Sequence, residues 1–126
     1  MSKPGLALII HDGSYDRVHY ALIMATGAAA INRDVSILFA GAATKLLTSN
    51  ARLPETDQHY QDKNIAGFEE LLEACHELDV TLYVCETALV AQDIDPASLR
   101  QDIPLKVGGY VGFLSSLDDT TQQIFI

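Results

Sequence analysis

The sequence predicts an α/β fold: one doubly wound, mainly parallel, five-stranded sheet with helices on both faces, flavodoxin-like in arrangement. Three observations predict it. Short runs of Leu, Ile, Val and Ala recur between turn residues, as in strands buried on both faces. Longer segments with apolar residues at 3.6-residue spacing separate those runs. The chain has 126 residues, the size of a single domain, so residues 1–126 are read as one unit. Strands alternating with helices imply βαβ units, a parallel sheet and right-handed crossovers.

The elements follow in order. Gly5–His11 is a buried strand, and Asp12-Gly13-Ser14 is a turn able to cap a helix. Tyr15–Asn32 is a helix and Val35–Phe39 the second strand. Ala42–Leu47 is a short helix, and Thr48–Asn64, polar and carrying Pro54, is a long surface loop. Ile65–Leu78 is a helix, Val80–Val84 the third strand and Glu86–Gln92 a short helix. Lys106–Val107 begins a brief fourth strand, Tyr110–Leu117 is a helix, and Gln122–Ile126 is the last strand.

Composition narrows the function. The formal net charge is −9, with eight basic residues against seventeen acids. Nucleic-acid binding draws most of its affinity from Lys and Arg at phosphates, so this balance excludes nucleic acid and anionic membranes as partners. Leu6–Ile10 is too short for a signal-peptide core, and Ala21–Ile31 is too short to span a bilayer. A cytoplasmic location is expected, where the two cysteines are free thiols.

The first helix carries two apolar faces. Val18, Ala21, Leu22, Ala25 and Ala29 form one; Tyr20, Ile23, Met24, Gly27 and Ile31 form the other. A helix apolar on most sides needs cover on most sides, so a homo-oligomer is expected. The alternative is that Tyr20 and Met24 lie under the long loop.

In doubly wound sheets, sites lie at the carboxyl ends of strands. Cys85 stands there, between the run Val80–Val84 and the following helix. Thiolate is the nucleophilic form of cysteine, and a helix start favours it. Glu86 next to it works the other way. Cys75 shares a helical stripe with Phe68, Leu71, Leu72 and Leu78 and reads as a small core hydrophobe. The two sulfurs should lie at opposite ends of the sheet, separated by more than roughly 15 Å, too far for a disulfide.

His11 and Asp12 close the first strand. In a flavodoxin-like order the first and third strands are neighbours, which would set an activating imidazole beside Cys85. The plainer readings are a turn histidine and a helix cap. His11, Asp12 and Cys85 match no standard zinc spacing, so no metal is expected. Gly108-Gly109-Tyr110-Val111-Gly112 opens the last helix and is not G-x-G-x-x-G; Gly41-Ala42-Ala43-Thr44-Lys45 lacks the second glycine of a phosphate-binding loop. No cofactor is expected. Gly108 and Gly109 make a tight turn or expose N–H groups to a ligand, and Tyr110 lies over Cys85 or packs against a neighbour. Glu55, Asp57, His59 and Asp62 read as solvated loop residues, and His19 and His76 as helix-surface ones.

Glu70–Asp95, ELLEACHELDVTLYVCETALVAQDID, is a helix, a short strand ending in cysteine, and a small-residue helix. It resembles the region around the reactive cysteine of the DsrE/DsrF-like family, which includes sulfur-relay subunits. The resemblance runs from Gly5–His11 to the closing LKVGGYVGFLSSLDDTTQQIFI at Leu105–Ile126. It implies a flavodoxin-like domain that assembles into trimers or hexamers. It further implies a sulfur carrier or sulfurtransferase subunit holding sulfane sulfur as a persulfide on Cys85, with sulfur donor and acceptor proteins as partners. Two other readings stand beside it. One is a non-catalytic oligomeric module binding a small ligand or serving as a scaffold; the other is a thiol redox protein, which would want a resolving cysteine near Cys85. A phospho-receiver would need aspartate where Cys85 stands.

Overall fold

The computed structural model describes residues 3–126. Five strands form one all-parallel sheet: β1 (Leu6–Ile10), β2 (Val35–Phe39), β3 (Thr81–Cys85), β4 (Lys106–Gly108) and β5 (Gln122–Phe125), in the order β4-β3-β2-β1-β5. The helices are α1 (Tyr15–Ala30), α2 (Glu55–Asp62), α3 (Phe68–Glu77), α4 (Glu86–Ala91) and α5 (Tyr110–Ser115). The doubly wound α/β class is the expected one. Its strand order separates β1 from β3, however: β2 lies between them, and the direct adjacency expected for His11 and Cys85 does not occur.

The order dictates how the two faces are covered. From β1 to β4 the chain steps in one direction, and right-handed crossovers then lay every intervening helix on one face. That face holds the main core, where Leu8, Ile10, Ile37, Phe39, Leu82 and Val84 meet Val18 and Leu22 of α1 and Leu72 and Cys75 of α3. Only the return from β4 to β5 crosses the other face, and it brings only the six-residue α5. Phe113, wholly buried, anchors α5 on Ala7 and Leu38, with its ring edge-on to Tyr83 at 5.1 Å. Burying one such side chain contributes about 1.5–3 kcal/mol. The second face therefore stays thin: Tyr110, Val111 and Leu114 of α5 and Phe125 of β5 remain exposed.

The segment expected to be a 48–64 surface loop contains α2. Mean hydropathy hides this helix, because its anchor is polar. Asp57, 7 % exposed, accepts hydrogen bonds from the Tyr15 hydroxyl, from Gln61 Nε2 at 2.8 Å and from the Phe68 amide at 2.8 Å. The last bond caps the start of α3 from another helix. Asp57 is thus a buried residue and not a solvated one. The reading of His19 as a surface residue is also overturned: it is buried, its Nε2 lies 2.8 Å from the Ala66 carbonyl, and its ring packs against Tyr15 and Tyr60. Tyr60 returns a hydrogen bond to Asp16 at 3.0 Å. His59 and His76 are exposed, as expected.

Tyr20 and Gly27 of α1 and Ile31 just after it are exposed, while Ile23 and Met24 are half-buried. Tyr20 does not lie under the 48–64 segment.

Candidate functional site

At the carboxyl edge, the connection after β3 leads to α4 on one face and the connection after β4 leads to α5 on the other. Neighbouring strands whose connections diverge define the crevice where α/β sheets bind ligands. Cys85 closes β3 there and pairs in register with Gly108 of β4. Thr81, Tyr83 and Cys85 alternate with buried Leu82 and Val84, so Cys85 faces the thinly covered side. It is half-buried, rests against the Ala7–Leu38–Phe113 cluster and stands at the start of α4 with extended backbone angles (φ −73°, ψ 120°).

A cleft of about 450 Å³ opens beside it, walled by His11, Gly13, Gly41, Ala42, Cys85 and Ala88 among others. Two glycines shape this cleft. Gly41 has φ +47°, a left-handed value that favours glycine, and a side chain there would meet the His11 carbonyl at 2.7 Å. At Gly13 an added Cβ would come within 2.8 Å of the Ala42 side chain.

His11 and Asp12 are both exposed on this edge, and both donate their backbone N–H to the Ile126 carbonyl, at 2.7 and 3.1 Å. Asp12 also lines the cleft, and its carboxylate accepts the Ser14 amide at 2.7 Å. Ser14, not Asp12, occupies the cap position of α1. The Ser14 hydrogen bonds, and after them the Arg17 guanidinium 3.6 Å away, hold the Asp12 carboxyl below its ordinary value.

The register fixes the spacing across the edge. Ile10, Phe39 and Val84 sit at one level, so His11, Ala40 and Cys85 follow at the next. Two strand spacings put the His11 and Cys85 backbones roughly 10 Å apart. Small residues at Ala40 and Gly41 leave the intervening space open.

The other expected site residues divide. Gly108 is beside Cys85 by register, and Gly109 precedes α5 with ordinary negative φ, so neither needs glycine for a left-handed turn. Tyr110 does not reach the cleft; its hydroxyl donates to Gln123 Oε1 at 3.0 Å and its ring leans toward Phe113. Glu86 is exposed and does not line the cleft. The carboxyl-edge rule points to Phe39-Ala40-Gly41 as a place to look but not to the contact Gly41 makes with His11, and sequence reasoning missed Phe125. The signals available were the glycine directly after a strand and an aromatic ending the last one. Cys75 is fully buried in apolar packing, and burial pushes its thiol up to about 12. Both cysteines are free thiols. Among the described residues no group of His, Cys, Asp and Glu is placed to hold a metal, and no helix is long and apolar enough to cross a membrane.

Fold and edge together define a class: a parallel α/β domain with a half-buried cysteine at its topological switch point. Over residues 6–124 the sequence matches the model of the DsrE/DsrF-like family. The chain belongs to that family. Two solved structures share the fold. A protein of unknown function, MTH1491 from Methanobacterium thermoautotrophicum, is 11 % identical with a TM-score of 0.69, covering 98 % of this chain and 100 % of that one. The ychN protein from E. coli is 14 % identical with a TM-score of 0.67, covering 97 % of this chain and 100 % of that one. No curated protein matches the sequence.

Proposed function

We propose that this chain is a sulfur carrier, a sulfurtransferase subunit that holds sulfane sulfur as a persulfide on Cys85. One observation carries the reading: of two cysteines, one is sealed in the core, while the other lines an open cleft at the carboxyl edge of the sheet. Membership of a family associated with sulfur relay supports it.

The chemistry needs no cofactor and no net redox change. The Cys85 thiolate attacks the outer sulfur of a donor persulfide, R–S–SH. A new S–S bond forms to Cys85, the donor's S–S bond breaks, and the donor leaves as a thiolate. Attack by an acceptor thiolate on the outer sulfur reverses the pattern and frees Cys85. His11, on the same cleft, accepts the Cys85 proton before attack. Asp12 keeps its side of the cleft anionic, and the Cys85–Gly108 edge leaves the sulfur open to docking proteins.

Donor and acceptor are proteins in this reading, the location is cytoplasmic, and the working form is a homo-oligomer, a trimer or hexamer. Exposed Tyr20 of α1, Ile31 just after it and the thin α5 face are apolar surfaces that such an assembly would cover.

Incubation with a small sulfane-sulfur donor, followed by intact-mass measurement, tests the reading. The mass gain of one sulfur should appear in the native protein and in Cys75→Ser but not in Cys85→Ser. No gain in any form would leave a non-catalytic binding or scaffold protein.

A further inference from the structure

We propose that Gly41 and Phe125 are positioning residues that hold the His11 imidazole across the mouth of the Cys85 cleft. The inference rests on the reading of Cys85 as the working thiol and adds the device that aims its partner. The two contacts lie on opposite sides of the ring. Toward β5, the Phe125 ring stands 5.7 Å away, centroid to centroid, tilted by 32°. Toward β2, the ring lies on the bare Cα of Gly41, where an added Cβ would meet His11 Cδ2 and Nε2 at 2.8 Å. The edge of the ring nearest Gly41 is therefore the one carrying Nε2. Gly41 lies on the Cys85 side of His11, because β2 separates β1 from β3. The ring edge carrying Nε2 thus lies on the Cys85 side of His11, at the cleft that both residues line.

Two further facts point the same way. Phe125 is 70 % exposed, and of the aromatic rings around it only that of His11 is in stacking range. A large apolar side chain left mostly in water does little for the core and a good deal for the ring beside it. Gly41 is conformationally committed, by φ +47° and by the His11 carbonyl 2.7 Å from its would-be Cβ. Any side chain at 41 would fill the corridor between imidazole and sulfur. Beside His11 stand the Asp12 carboxylate on its own loop, with the Arg17 guanidinium 3.6 Å behind it, and the Ile126 backbone oxygen that takes the His11 amide; the side chains of Gly41, Ala42 and Phe125 carry no charge.

Alkylation of Cys85 by iodoacetamide, followed by mass spectrometry from pH 5 to 9, tests the proposal without any sulfur donor. The variants are His11→Ala, Phe125→Ala, the double variant and Gly41→Ala. Loss of His11 should slow the reaction near neutral pH and change the shape of the rate profile. Phe125→Ala should slow it by at least about twofold, and this effect should vanish in the His11→Ala background, the signature of a residue acting through another. Gly41→Ala should reproduce the His11→Ala profile. If that variant fails to fold, Phe125→Ala decides, since an exposed side chain is dispensable for folding. The proposal is overturned if Phe125→Ala has no effect, or if it slows alkylation equally with and without His11, the pattern expected of a residue that merely seals a subunit contact. The sulfur-carrier reading fails separately: coupling between 11 and 125 without sulfur uptake would refute carriage and leave the positioning intact.

Discussion

Replacing Asp57 by alanine should be among the most damaging single changes in this molecule, although hydropathy places it in a polar loop. The carboxylate is 7 % exposed and takes hydrogen bonds from the Tyr15 hydroxyl, the Phe68 amide and Gln61 Nε2. Gln61 is exposed and can turn to water. The Tyr15 hydroxyl and the Phe68 amide are in buried residues and cannot. A buried donor stripped of its acceptor costs about 1–3 kcal/mol, so two cost about 2–6 kcal/mol. Total stability of such a domain is about 5–15 kcal/mol, so the loss is a large fraction of the whole. At roughly 3–5 °C per kcal/mol for a domain of this size, Tm should fall by roughly 6–30 °C. Urea unfolding followed by circular dichroism measures the difference directly. Asp57→Asn preserves an oxygen for both donors and should lose only about 1 kcal/mol. Asp62→Ala, on the exposed end of the same helix, is the control. If Asp57→Ala costs no more than that control, under about 0.5 kcal/mol, the account of α2 as a polar-anchored helix is wrong.

Other outcomes follow from the same geometry. Phe113→Ala removes the only buried residue of α5 and should destabilise the fold by about 3–5 kcal/mol, read from the urea midpoint. In the native protein near pH 8, a neutral thiol reagent should label Cys85 and spare Cys75, whose thiol is buried and pushed up to about 12; equal labelling in peptide maps would contradict this. Burial and the Asp57 bond raise the Tyr15 hydroxyl above its ordinary 10.0, and the Asp16 bond raises that of Tyr60. A raised value stabilises the fold below the ordinary value and is lost as pH climbs past it, so urea midpoints should fall above pH 10 and do so less in Tyr15→Phe. Asp12 and Asp118 are held low, chiefly by the amides of Ser14 and Thr120. Their contribution is present above 3.8 and is lost as pH falls below it, an acid limb that Asp118→Asn should shrink.

Periodicity made much of this legible. Val35–Phe39 and the Phe68–Cys75 stripe read directly from their apolar spacing, because burial selects residue type at every position of such elements. The placement of Cys85 at a strand-to-helix junction was equally readable. Strand order was not: an apolar run records that a strand is buried on both faces, and nothing in it records which strand lies alongside. The expected β1–β3 contact failed for that reason, and with it the idea that His11 lies on the strand next to Cys85. Helix α2 escaped because its attachment is a carboxylate. Its start signals, Pro54 followed by Glu55 and Asp57 in the first turn, were present but carried no apolar stripe. Phe125 escaped, and so did the contact of Gly41 with His11, because both depend on what the residues touch and His11 is far from each in sequence.

Cyanide strips the outer sulfur from a persulfide as thiocyanate and returns the thiol, so it counts carried sulfur directly. After loading with a sulfane donor and removal of excess, the native protein and Cys75→Ser should each release about one thiocyanate per chain, at a stoichiometry set by a single accessible thiol. Release that persists in Cys85→Ser, or none from the native protein, would contradict the assignment of sulfur carriage to Cys85.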